Sequence, residues 1–175
     1  MNLMTKALLV VAALALAACN NPRAGGGQWD DGGFGAGGAD GIQTGALGDP
    51  NDPRSIAHFQ QRVGDRVFFE TDQSTLNDEA RRTLAAQARW LNENRQFAIL
   101  IEGHADERGT REYNVALGAR RANAVMQYLA SQGVSSSRMR TVSYGKERPV
   151  EACPEPRCWN LNRRAVTVVS TGLTS

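Results

Sequence analysis

The chain of 175 residues predicts an α/β domain, with short strands alternating with amphipathic helices, behind a leader that builds no core. Two observations carry the prediction. Short apolar, β-branched runs recur at 66–70, 97–102, 139–144 and 165–170, too brief for helices and suited to buried strands. Between the first three, apolar residues return every three or four positions, the period of a helix with one face inward.

The elements follow in order. Asp52-Pro53 opens a short helix to about Val63, with Asp as N-cap and Pro in the first turn. Ile56 and Phe59 form its apolar face, and His58 is expected at the surface in a structural role. After the strand at 66–70 comes a polar turn, Thr71 to Thr75. A helix over 77–94 turns Ala80, Leu84, Ala88 and Leu91 inward, with Asp78 and Glu79 favourable at its N-terminus. The strand at 97–102 leads into a turn with Gly103 and Gly109. A helix over 110–132 then stops at Gly133, a residue suited to a helix C-cap.

That last helix carries an anomaly. Tyr113, Leu117, Arg121, Val125 and Tyr128 share one face, and four of the five suit a core stripe. Arg121 does not, because a guanidinium there must find an anion or reach water. Asp106, in the preceding turn, is the nearest conspicuous candidate to work with it. Two readings stand side by side: an internal salt bridge locking turn to helix, or a carboxylate and guanidinium offered together to a zwitterion.

The order β-α-β-α-β, then an excursion and a last β, implies parallel neighbours joined by right-handed crossovers. Ligands in such sheets bind beyond the carboxyl ends of strands. Asp72 and Asp106 both sit there, each a few residues past a strand.

The excursion holds Cys153 and Cys158, five apart with two prolines between. A disulfide is the expected pairing for an exported chain, and so small a loop stabilises by only about 2 kcal/mol. Redox catalysis is the sharper reading, but the spacing is not that of a C-x-x-C pair.

Export is indicated at the front. Lys6, the apolar run Ala7 to Ala18 and small residues before Cys19 describe a signal peptide over 1–18, with an apolar run too short to span a membrane. Residues 19–52 are a Gly-rich tether, spanning roughly 30 Å on average and about 110 Å at full reach. The folded domain is assigned to 53–175.

Enzyme chemistry finds little support. Two histidines, His58 and His104, form no H-E-x-x-H pair, and neither a G-x-S-x-G elbow nor a Gly-rich phosphate loop occurs. No metal and no cofactor is expected. A neutral His104, hydrogen-bonded within its turn, is the expectation for that residue. Glu107, Arg108, Arg111, Glu112 and Arg120 are expected on a solvated face. With 20 basic against 18 acidic residues, charge offers no reason to expect nucleic acid as partner.

The segment Glu102 to Thr110, then Tyr113-Asn114, Leu117-Gly118 and Arg120 to Val125, closely resembles the peptidoglycan-associated lipoproteins of the OmpA-like C-terminal domain family. Val142 to Pro149 and Asn162 to Val166 continue the match, which covers roughly 64–170. The resemblance implies helices packed on a mixed four-stranded sheet and noncovalent binding of peptidoglycan through the diaminopimelate of its stem peptide. Carried over by motif position, Asp106 and Arg121 make the main contacts, Asp72 contributes, and Asn114 orients. Leu16-Ala17-Ala18-Cys19 resembles the bacterial lipobox. That implies lipidation at Cys19 and, with Asn20 following, an outer-membrane address with the domain facing the periplasm. Family members also bind the Tol proteins (TolB, TolA) and act in envelope constriction during cell division. A flagellar-stator-like member is disfavoured, since no spanning helix is seen before the domain.

Overall fold

The structure is a computed structural model that describes residues 47–171. The signal peptide, Cys19 and most of the tether lie outside the described residues. A one-turn helix α1 (Ile56–His58) runs straight into a π-helical turn (Phe59–Gly64). Then follow β1 (Arg66–Phe68), α2 (Asp78–Glu93), β2 (Ala98–His104), α3 (Arg111–Ser131), a 3-10 turn (Ser136–Arg138), β3 (Met139–Gly145), α4 (Pro156–Asn162) and β4 (Arg164–Ser170).

The strands form one mixed sheet in the order β1-β4-β2-β3. β2 and β3 are parallel neighbours, as the crossover through α3 requires. β1 and β2 are not neighbours, in contrast to the sequence expectation. β4 returns between them, antiparallel to both, and an inserted return strand leaves no signal in the β-α-β spacing. Being antiparallel to a common strand, β1 and β2 still point the same way. Their carboxyl ends therefore meet at one end of the sheet, beside the start of β4, where Arg164 pairs with Phe68 and Ala165 with Gly103.

The core gathers Leu84 and Leu91 of α2, Ile99 and Ile101 of β2, Val125 and Leu129 of α3, and Phe59. β2 alternates as a strand with one inward face should, with Ile99, Ile101 and Gly103 buried. Asn77 caps α2 by accepting from the Ala80 amide at 2.8 Å. Thr110 caps α3 in the same way through the Tyr113 amide. Gly133, at φ +88°, ends α3 in the left-handed region that glycine enters at least cost.

Three boundaries depart from expectation. The Asp52 side chain accepts from the Arg54 amide and its carbonyl from the Ser55 amide, within a turn, whereas Ser55 caps α1 through the His58 amide at 3.0 Å. The helix thus starts three residues late, after a turn fastened by the Ser55 hydroxyl donating to the Asp49 carbonyl. His58 is half-buried, its Nδ1 3.0 Å from the Pro50 carbonyl. β1 ends at Phe68, short of residue 70, although the Phe69 amide still donates to the Arg163 carbonyl at 2.9 Å in the same register. The excursion also contains α4, missed because the prolines and cysteines there mask a helix of only about two turns. Cys153 and Cys158 are joined as expected.

The seating of α3 on β2 depends on two glycines. A Cβ on Gly103 would lie 1.8 Å from the Gly118 carbonyl oxygen, and one on Gly118 would lie 2.8 Å from that of Gly103. Helix and strand approach backbone to backbone there, which puts the start of α3 directly over the end of β2.

Candidate binding site

A cavity of about 290 Å³ opens at the shared carboxyl end of β1 and β2. It is lined by Thr71, Asp72, Asp106, Arg108, Gly109, Tyr113, Asn114, Leu117, Arg121 and Arg163. All four ligand residues expected from the sequence are among them.

Arg121 is fully buried. Its Nε donates to the Gln73 carbonyl at 2.8 Å, Nη1 to the His104 carbonyl at 2.7 Å and Nη2 to the Glu70 carbonyl at 3.1 Å. The Phe69 ring lies 5.1 Å from its guanidinium carbon. One side chain on α3 thus ties down the β1–α2 turn and the end of β2. Among the described residues no carboxylate lies within ion-pair distance of it, so the internal salt bridge to Asp106 does not form. Burial, then the charge of Arg163, pushes the Arg121 guanidinium down to about 10. It is a cation held by neutral dipoles, and two of its five N–H groups remain free of them.

Asp106 has other partners. Its Oδ2 accepts from Arg108 Nη2 at 2.7 Å and from Arg163 Nη1 at 3.1 Å, while Oδ1 accepts from the Arg108 amide at 3.1 Å. Burial alone would raise this carboxyl, but the hydrogen bonds from Arg108 and Arg163 outweigh it and leave it below the ordinary carboxylate range. Asp106 is therefore a carboxylate at neutral pH, although only 6% exposed.

Asp72 takes φ +58°, the one described non-glycine residue at positive φ, a conformation that Asp tolerates better than most. The turn aims its carboxylate over the cavity, where it accepts from the Tyr113 hydroxyl. Tyr113 is thus exposed rather than part of the core stripe. The buried face of α3 runs instead through Asn114, Leu117, Gly118, Arg121, Ala122, Val125 and Leu129. Asn114 is buried and donates to the Arg108 carbonyl at 2.8 Å, bracing the turn that bears Asp106.

Three expectations are revised. Arg108 is not simply solvated: it pairs with Asp106 and lies over the Trp159 ring, 4.2 Å from its centroid. Glu107 accepts from Trp159 Nε1 at 3.0 Å. His104 lies at the end of β2 rather than in the turn. It is 1% exposed, tilted against Tyr144, with neither ring nitrogen hydrogen-bonded. Burial, then Arg164 and Arg148, pushes it down to about 4. Sequence reasoning missed Arg163 altogether. Its signal was the Asn162-Arg163-Arg164 run, which enters the site only because β4 begins between the ends of β1 and β2.

A mixed sheet of this order, with a cavity of acids and guanidiniums at one end, is an OmpA-like domain, and the OmpA family matches residues 68–163. A peptidoglycan-associated lipoprotein of Mesorhizobium japonicum is 50% identical over 163 residues, covering 93% of this chain and 90% of that one. Its counterpart in Haemophilus influenzae is 40% identical over 171 residues, covering 95% and 98%. The crystal structure of the peptidoglycan-associated lipoprotein from Burkholderia pseudomallei matches with a TM-score of 0.62 and 41% identity, over 70% of this chain and 100% of that one. The C-terminal domain of Helicobacter pylori MotB, 22% identical with a TM-score of 0.58 over 62% of this chain and 86% of its own, shares the fold. The chain belongs to the OmpA family, among its peptidoglycan-associated lipoproteins, a non-enzymatic group.

Proposed function

We propose that this lipoprotein holds peptidoglycan noncovalently by closing its cavity on the zwitterionic end of diaminopimelate. The observation that carries the reading is Arg121, a buried guanidinium without a carboxylate partner among the described residues, lining the same cavity as Asp72 and Asp106. A ligand carboxylate supplies the missing anion, and the ligand ammonium is met by the two acids. Charge-assisted hydrogen bonds in a largely desolvated cavity are the strong kind. Asn114 orients the Asp106 turn rather than reading the ligand itself.

Lipidation at Cys19 anchors the chain to the outer membrane, and the tether lets the domain reach the wall from the periplasmic side. Acylation by two or more chains makes such anchoring stable. Through TolB and TolA, the chain joins the Tol system that draws the envelope inward at division. Described residues contain no helix long and apolar enough to cross a membrane.

Retention of the full chain on purified peptidoglycan tests the reading. Wild type is retained, and Asp106→Ala and Arg121→Ala lose retention at least tenfold. Undiminished retention of both variants sinks the site assignment.

A further inference from the structure

Trp159 does not line the cavity, yet it touches the two residues that flank it on the Asp106 turn. Its ring covers Arg108 at 4.2 Å and its Nε1 donates to Glu107 Oε1 at 3.0 Å. Its place is set from behind. It follows the fully buried Cys158, which is bonded to Cys153, and α4 is closed beyond it by Asn162. The Asn162 side chain accepts from the Val150 amide at 2.8 Å and donates to the Glu151 carbonyl at 2.7 Å.

Arg108 needs such a brace. Its side chain is 43% exposed, and an exposed arginine left to itself holds a carboxylate weakly, because its rotamer freedom competes. A ring over the guanidinium removes part of that freedom and adds cation–π attraction.

We propose that Trp159, seated by the Cys153–Cys158 disulfide, is a positioning residue for the Asp106 carboxylate, acting by holding the Arg108 guanidinium against it. The inference rests on the peptidoglycan reading only for its consequence on affinity. The charged groups facing Asp106 are Arg108 in its own turn, Arg163 at the start of β4, Arg121 on α3 and Asp72 in the β1–α2 turn. Trp159 acts on the first and leaves the other three in place. A tryptophan that only filled space would contribute to stability without altering how Asp106 binds a proton.

The test follows the Asp106 side-chain carboxyl carbon by NMR through an acid titration of the full chain, alongside retention on purified peptidoglycan at pH 7. Trp159→Ala is expected to raise the Asp106 midpoint and weaken retention about two- to fivefold. Trp159→Phe keeps a ring over Arg108 while losing the bond to Glu107, and returns both readouts most of the way. Should Trp159→Ala not fold, Trp159→Leu fills the space without a π face and carries the same expectation. An unmoved Asp106 midpoint in the variant without a ring overturns the inference, whatever happens to its stability. Failure of wild type to be retained overturns the peptidoglycan reading instead, and the titration still decides the role of Trp159.

Discussion

Asp106 and Arg163, far apart in sequence, meet at 3.1 Å with both side chains 8% exposed. The contact exists because β4 runs back between β1 and β2, so the residue before β4 arrives where β2 ends. Arg163 also donates to the Phe69 carbonyl at 3.1 Å and to Asn160, which makes it the joint between three segments. Removing one partner of a buried ion pair is costly, because the other charge stays desolvated. Arg163→Gln is expected to destabilise the chain by about 2–3 kcal/mol, with Arg108 limiting the damage at Asp106. Urea unfolding of the two proteins checks this, and equal midpoints would contradict it.

The same pairing sets an acid limit. The Asp106 carboxyl is held below its ordinary value of 3.8 in the folded chain. A group depressed on folding contributes stability that is present above its unfolded value and lost as pH falls through its folded value. Retention on peptidoglycan that depends on ionised Asp106 therefore persists to a pH lower than an unperturbed carboxylate would allow. In Arg163→Gln the Asp106 titration moves upward, and the acid loss of retention moves with it. A variant whose acid limit matches wild type would break the link between Asp106 and binding.

How far this site was legible in the sequence depends on the range of each signal. Asp72 and Asp106 could be placed because their position past a strand end is local, and Arg121 because a charge on an apolar stripe is conspicuous. The elements other than α4 were readable from apolar period and caps, though the cap of α1 is Ser55 rather than Asp52. Arg163 was not, since its role depends on strand order, and two crossovers do not say where a fourth strand will insert. Nor could spacing show that Arg121 spends its donors on three carbonyls while Asp106 turns to other arginines. Nearness of the Asp106 turn to the helix left open a pair with Arg121 that the backbone carbonyls of Gln73, His104 and Glu70 pre-empted. Tyr113 was misplaced because helical spacing groups residues by angle and does not show where the core stops.

The approach of α3 to β2 provides a stability test independent of ligand. Gly118 lies within α3, where alanine ordinarily gains about 1 kcal/mol in propensity. Here its Cβ would lie 2.3 Å from Ser143 Oγ, a hydroxyl already donating to the Val115 carbonyl, and 2.8 Å from the Gly103 carbonyl. Backbone displacement of this kind costs more than the propensity returns. Gly118→Ala is expected to lose about 1–2 kcal/mol, and Gly103→Ala, facing backbone at 1.8 Å, about 3 kcal/mol or more. A Gly118→Ala chain more stable than wild type in urea would show that helix and strand can separate freely.

His104 makes the last prediction, in a pH range above that of the carboxylates. It is buried without a hydrogen bond and flanked by Arg164 and Arg148. Although the Glu102 carboxylate stands 3.6 Å from Nε2, burial dominates and pushes the ring down to about 4 in the folded chain. In the unfolded chain its ordinary value is 6.5. Between these values the unfolded state takes up a proton that the folded state refuses, so acidification from pH 6.5 towards 4 favours unfolding. The full difference amounts to about 3 kcal/mol. Between pH 7 and 5 about half of it should already be lost, before Asp106 begins to contribute. His104→Phe removes the titrating group, and whatever its absolute stability, its unfolding free energy should change little over that interval. Urea titrations of both chains at pH 7, 6 and 5 measure the two slopes. Parallel slopes would mean that His104 is not the group that refuses the proton.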